Sequence, residues 1–353
     1  MKHVIFLLPG HGRIPCGGFK VVYEYANRLI GSCSVEIAYL SELPYTSKFR
    51  SFFRYYFYYN RFRSKWFKLD DRIRISWINR VGCNTFPVDS IIIATSWETC
   101  EKAAILSNSQ KIYLIQGDEA SFDSVVNNNQ VDKVGKTIVD EAFTKVVISS
   151  FLYNMLLDNY KIKSQILFNG VDHNVFCVTN NIESRAPNSI ILMYHVLKSK
   201  GADVGISALK SLKERGFNLN VIMFGAYPKP LDLPDWITYF YKPSTLTLSK
   251  LYNSNSIFIS TSFTEGWGLT VVEAMCCGCA NLVTNISGYS DFAFDQKTAV
   301  LYEAGNVRDL EQKLILLIQN DNLRINVAKT ASEYVLRYDW DLSTNNFKNI
   351  LQL

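Results

Sequence analysis

Short, nearly unbroken apolar runs recur along the chain, each closed by turn residues and followed by an amphipathic stretch. In the first half they fall at residues 4–8, 35–40, 91–94, 112–115 and 145–148. In the second half they fall at 190–194, 221–225, 237–240, 256–260 and 281–284. Continuous apolar runs suit strands buried on both faces, and hence parallel sheets covered by helices on each side. Helical periodicity at 18–30 and 202–215 supplies two of those helices. The polar stretch 178–189 separates the two series and reads as a linker. The pattern therefore predicts an α/β protein of two doubly wound, Rossmann-like domains, residues 1–175 and 190–335, with a linker at 176–189 and a closing segment at 336–353. Two such domains predict a cleft between them, and ligands in such sheets bind at the carboxyl ends of the strands.

Length and composition agree with this. A chain of 353 residues is long for one core. With 48% hydrophobic and 20% charged residues it reads as globular rather than disordered. Pro9-Gly10 ends the first apolar run too early for a signal peptide, and no run is long enough to span a membrane, so a cytoplasmic protein is expected. The eight cysteines lack zinc-site spacing and fit small buried thiols in a reducing compartment. Positive charge gathers in the first half, where residues 1–170 carry 21 Lys/Arg against 15 Asp/Glu.

The stretch from Ser260 to Met275 carries most of the chemistry. A strand ends near Ser260, a loop with Gly266 and Gly268 follows, and a helix is predicted from Leu269 to a stop at Gly278. The first amides of a helix have no partners within it, and the helix dipole adds positive charge there. Gly266, Gly268, Leu269 and Thr270 thus form a candidate phosphate cradle. Glu265 before it can bind sugar hydroxyls, and Glu273 within the helix can bind ribose hydroxyls. Two acids flanking a phosphate site suit a sugar–diphosphate–nucleoside better than a free phosphate.

Seven residues lie between Glu265 and Glu273, with Gly-x-Gly-Leu after the first and Ala-Met-x-x-Gly after the second. This closely resembles the E-x7-E signature of retaining GT-B glycosyltransferases of family 4. Gly17-Gly18-Phe19-Lys20 resembles that family's glycine loop, and Phe168-Asn169-Gly170-Val171-Asp172 its domain junction. Tyr338-Asp339-Trp340 resembles its close, where the last helix crosses back to the first domain. Tyr113-x-Ile115-Gln116-x-Asp118-Glu119 is similar to the rhamnosyltransferase-like branch of polysaccharide enzymes.

The resemblance implies a metal-independent, retaining enzyme of hexosyltransferase type. It would move sugar from a UDP-, dTDP- or GDP-sugar to a glycan or lipid-linked glycan such as O-antigen or capsule, with no other cofactor. The leaving phosphate would take the acceptor's proton. Glu265 would contact the donor sugar, Glu273 the ribose, and Lys200 with the Gly268–Thr270 helix start the diphosphate, while Gly17 and Gly18 would let the opposite loop approach the phosphates. Two departures stand out. The family's phosphate-binding Arg falls on Tyr194 or His195, which makes His195 a candidate donor of lower charge. The family's His in the first domain is also missing, with Gln116 and Asp118 the nearest replacements. The first departure motivates the alternative of a non-catalytic sugar-nucleotide-binding protein; a GT-B epimerase ranks below it.

Gly10-His11-Gly12 would open a dinucleotide fingerprint, but Pro15 takes the place of its third glycine, which argues against an NAD enzyme. His11 and Arg13 remain candidates for phosphate or acceptor contact. Asp339-Trp340-Asp341 has the form of a metal triplet but lies beyond the last identifiable strand. Residues 49–68 hold eleven aromatics and no acid. At about 100° per residue, Arg50, Arg54, Arg61, Lys65 and Lys68 fall on one stripe. This predicts an interfacial helix for an anionic membrane surface, and so a protein held at the inner face of the cell membrane. No nucleic-acid motif accompanies it.

Overall fold

The computed structural model describes residues 2–10, 12, 14–40, 66–108 and 110–353. The candidates His11 and Arg13, and the aromatic–basic segment as far as residue 65, lie outside the described residues. The chain divides into two units, Met1–Phe168 with Asp341–Leu353, and Asn169–Trp340.

The first unit carries β1 (His3–Pro9), β2 (Ser34–Leu40), β3 (Arg74–Ile78), β4 (Ile91–Ala94), β5 (Gln110–Ile115), β6 (Thr144–Val147) and β7 (Gln165–Ile166). They form one parallel sheet in the order β3-β2-β1-β4-β5-β6-β7. Its helices are α1 (Gly17–Leu29), α2 (Trp97–Ala103), α3 (Asp123–Asn127), α4 (Val131–Val139) and α5 (Ser150–Tyr160). In the central strands, residues 4–8 of β1 and all of β4 are buried, as a sheet covered on both faces requires. The last residues of the chain complete this unit. Ser343 shares a 2.6 Å hydrogen bond with Tyr25, and Phe347 packs on Phe6 and Tyr25.

The second unit carries β8 (Ser189–Tyr194), β9 (Asn220–Gly225), β10 (Ile237–Tyr241), β11 (Ile257–Ser260), β12 (Ala280–Thr284) and β13 (Val300–Tyr302). They form a parallel sheet in the order β10-β9-β8-β11-β12-β13. Its helices are α6 (Ala202–Glu214), α7 (Thr245–Asn253), α8 (Leu269–Cys276), α9 (Val307–Gln319) and α10 (Asp321–Tyr334), and α11 (Trp340–Leu351) leaves it. Ile190, Leu192, Met223, Ile259 and Leu282 of the strands pack with Ala208, Leu212, Leu314 and Val327 of the helices. At the edge of the unit Val171 N–H donates to Tyr338 O at 2.9 Å, and a Cβ on Gly170 would lie 2.4 Å from Trp340 Cα.

Several expectations change. The units divide after Phe168 rather than at residue 175. Residues 176–189 are built into the second unit rather than left as a linker. Arg185, 7% exposed, donates to the carbonyls of Asn180, Asn255, Cys277 and Gly278. A polar sequence hides this, because most of the arginine's partners are backbone groups 70 or more positions away along the chain. The expected helix over 49–68 does not extend to its end. Residues 66–68 are non-helical, with Trp66 and Phe67 both on the Tyr23 ring and Trp66 Nε1 donating to Gly12 O at 2.9 Å. Cys16 and Cys83 are exposed rather than buried.

Candidate functional site

In the second sheet the strand order reverses between β8 and β11. Open parallel sheets bind ligands at such a switch point, beyond the carboxyl ends of the strands. Two loops leave it, residues 195–201 after β8 and 261–268 after β11. They are stitched together. Phe263 N–H donates to Ser199 O at 2.8 Å, and the Thr261 hydroxyl to Lys200 O at 2.8 Å. The approach is so close that a Cβ on Gly201, whose φ is +59°, would lie 2.2 Å from Thr261 O.

The side chains meet on this base. Lys200 Nζ donates to Glu265 Oε1 at 2.6 Å, and Ser262 Oγ to the same oxygen at 2.8 Å. The ion pair is largely sheltered, with 23% of the lysine and 16% of the glutamate side chain exposed. His195 is half-buried beside it. Its Nδ1 accepts the Leu197 amide at 3.0 Å, and its ring stands edge-on to Tyr227 with centroids 4.9 Å apart. Burial, and then the charge of Lys200, hold this imidazole below its usual pKa of 6.5, against the pull of Glu265.

The helices at the switch point differ from their neighbours. Both α6 and α8 begin at a left-handed glycine, Gly201 or Gly268, with no side chain capping the first turn. By contrast, α7, α9 and α10 are capped by Ser244, Asn306 and Asn320. An uncapped first turn leaves amides such as those of Leu269 and Thr270 open to an anion. Gly268 is required by its surroundings: φ is +88°, and a Cβ would lie 2.4 Å from the Tyr289 ring. Below it, Tyr289 and Ser260 share a 2.7 Å hydrogen bond, and Tyr302 OH donates to Ser260 O at 3.0 Å. Glu273 lies in the second turn of α8 and is 4% exposed.

Residues 179–334 match the family description Glycosyl transferases group 1. The second unit is a glycosyl transferases group 1 domain. Among curated proteins, the chain is 23% identical over 202 residues to an uncharacterized glycosyltransferase of Methanocaldococcus jannaschii, covering 56% of this chain and 55% of that protein. It is 22% identical over 274 residues, 72% of each chain, to the N,N'-diacetylbacillosaminyl-diphospho-undecaprenol alpha-1,3-N-acetylgalactosaminyltransferase of Campylobacter jejuni. Among solved structures, HepE of Anabaena in complex with UDP and glucose superposes with a TM-score of 0.73 over all of both chains, at 14% identity. That likeness establishes the fold: two parallel-sheet α/β domains of the GT-B type.

Within the glycosyltransferase domain, the structure brings Lys200, His195, Glu265, Gly266 and the Gly268–Thr270 helix start to one switch point, with Glu273 buried in the helix behind. Sequence reasoning missed the supports beneath them, Ser262, Tyr289 and Gly288. A Cβ on Gly288 would lie 2.1 Å from Glu265 O. The only sequence signal for that contact is the turn-like Ser287-Gly288.

Gly17 and Gly18 belong to the first unit, where they open α1 after the β1 loop. Gln116 Nε2 donates to Gly18 O at 3.4 Å. Nearby, Glu119 is buried at 7% exposure and accepts the Trp97 amide at 2.6 Å and the Tyr113 hydroxyl at 2.8 Å. Burial pushes its carboxyl up to about 7, against these two hydrogen bonds and with the help of Glu98 and Asp118. Asp339 and Asp341 fall on opposite sides of the unit division. Among the described residues, no group of three or more His, Cys, Asp or Glu is placed to hold a metal ion.

Proposed function

We propose that the protein is a retaining, metal-independent glycosyltransferase that transfers a sugar from a nucleoside-diphosphate sugar to a glycan or lipid-linked glycan. The observation that carries this reading is the pair of uncapped, glycine-opened helices at one switch point, with Lys200 and Glu265 held between their loops. Breaking the bond to the donor sugar builds positive charge at the anomeric carbon and negative charge on the leaving diphosphate. Fixed donors aimed at that negative charge lower the barrier most when they need no reorganisation. The open amides of α8 and the Lys200 ammonium are such donors. In this reading Lys200 leaves Glu265 for the diphosphate, which frees the carboxylate for hydroxyls of the donor sugar. Glu273 binds the ribose. The leaving phosphate takes the acceptor's proton, so no strong general base is needed.

The bound UDP of the Anabaena structure supports a nucleotide donor, and the name of the Campylobacter relative supports a lipid-diphosphate-linked acceptor. The aromatic and basic composition of residues 49–68 fits a protein working at an anionic membrane surface. No helix among the described residues is long and apolar enough to cross a membrane.

The test is a thermal-shift screen in EDTA with UDP-, GDP- and dTDP-sugars and their free diphosphates, on the wild type and Glu273→Ala. One nucleotide class should stabilise the wild type and not the variant. No response to any of them defeats the donor reading. Binding without transfer to any glycan or lipid-linked acceptor would favour the non-catalytic alternative. Turnover that requires Mn²⁺ and is abolished by EDTA overturns metal independence. Failure to sediment with anionic liposomes at low salt overturns the membrane contact.

A further inference from the structure

His195 lies beside the Lys200–Glu265 pair, and its surroundings are arranged for a neutral ring. Nδ1 accepts the Leu197 amide at 3.0 Å. A nitrogen that accepts carries no proton, so the neutral imidazole holds its hydrogen on Nε2. Among the described residues, Nε2 has no hydrogen-bond partner. A second proton would have to land on Nδ1, where it would face the Leu197 N–H and expel it. The charged groups around the ring reinforce this. Lys200, from the turn that follows in the same loop, repels a second positive charge. Glu265, from the loop after β11, would favour one, but it is already matched by Lys200 at 2.6 Å and by the Ser262 hydroxyl. From the loop after β9 comes only the Tyr227 ring, 4.9 Å away. The backbone at Tyr227 is itself held, because Tyr227 O accepts the Tyr239 hydroxyl at 2.5 Å.

We infer that His195 is a neutral, tautomer-locked donor whose Nε2–H serves the diphosphate of the sugar nucleotide, so that positive charge at this switch point comes from Lys200 and not from the imidazole. The inference rests on the donor reading above and adds to it how the site is charged. A diphosphate entering the site meets the Lys200 ammonium, a neutral imidazole dipole and the helix amides. A neutral donor holds an anion less tightly than an arginine would, because hydrogen bonds to charged groups are the stronger ones. The released nucleoside diphosphate therefore leaves more easily, and donor affinity does not follow imidazole titration.

Two measurements test this. In the first, long-range ¹H–¹⁵N spectra of the ¹⁵N-labelled protein are recorded from pH 5 to 8. Comparison with His195→Gln assigns the residue among the four histidines of the chain. An Nε2–H tautomer unchanged through the ordinary imidazole range is expected. An Nδ1–H tautomer, or a ring that becomes imidazolium near pH 6.5, overturns the inference.

The second is calorimetric titration with UDP-glucose, GDP-mannose and dTDP-glucose, whose diphosphate diesters do not titrate in this range. For whichever binds, the affinity should be flat from pH 5.5 to 8. His195→Gln keeps a donor in place and should stay within about threefold of the wild type. His195→Arg should bind about tenfold more tightly. Affinity that rises toward low pH in the wild type but not in His195→Gln sinks the inference while leaving the donor reading intact. If none of the three binds, the donor reading fails, and the role of His195 with it.

Discussion

Replacing Glu119 with Gln removes a titration and keeps the hydrogen bonds around it. Both bonds end on one oxygen, Oε2, which accepts the Trp97 amide and the Tyr113 hydroxyl. The amide oxygen of Gln can accept both, with its NH₂ standing where the protonated acid carries its hydrogen. Burial raises the Glu119 pKa from 4.5 to about 7. Between those two values the folded protein holds a proton that the unfolded chain has released. Stability is therefore fully present below pH 4.5, falls as pH rises toward 7, and is flat above. At about 1.4 kcal/mol per pH unit, the whole fall is about 3 kcal/mol. The assay is urea unfolding of wild type and Glu119→Gln at pH 5, 6, 7 and 8, followed by tryptophan fluorescence. The two proteins should be alike at pH 5, and the variant should gain roughly 2–3 kcal/mol over the wild type by pH 8. Parallel stability curves across this range would refute the reasoning, because they would mean that Glu119 titrates as an ordinary exposed carboxylate.

Other expectations follow from contacts already described. Lys200→Met removes the side-chain cation and should weaken nucleotide-sugar binding by about 10- to 100-fold in calorimetry while the protein stays folded. Gly268→Ala puts a Cβ 2.4 Å from the Tyr289 ring at φ +88°. It should cost at least about 1–2 kcal/mol in urea unfolding and abolish the thermal shift given by the donor. Gly170→Ala places a Cβ 2.4 Å from the Trp340 backbone, which cannot rotate away. A loss of about 1–3 kcal/mol is expected, and an unchanged midpoint would mean that the seam between residues 170 and 340 is looser than described.

Much of the fold was legible because burial on both faces writes itself as an unbroken apolar run. Residues 4–8, 91–94, 190–194 and 257–260 all lie in central strands or next to them. Of the four edge strands only β10, at residues 237–241, was legible; the other three were not. β3 and β7 lack such runs, β7 being two exposed residues, and β13 is only three residues long. An edge strand covers fewer neighbours and needs fewer apolar side chains. The helix start at Leu269 was readable from Gly268 and the apolar residues after it, since these are local signals.

The sequence by itself determined the two-sheet architecture, the E-x7-E segment and the glycine-opened helix, because each depends on residues within one short window. Only the tertiary structure decided how the site is charged. The Lys200–Glu265 pair spans 65 positions of sequence, and Glu119 lies 22 positions from the Trp97 amide it accepts. Arg185 finds its carbonyl partners up to 93 positions away. Electrostatic partners and burial depend on which loops the sheet order brings side by side. Periodicity along the chain carries no record of that order.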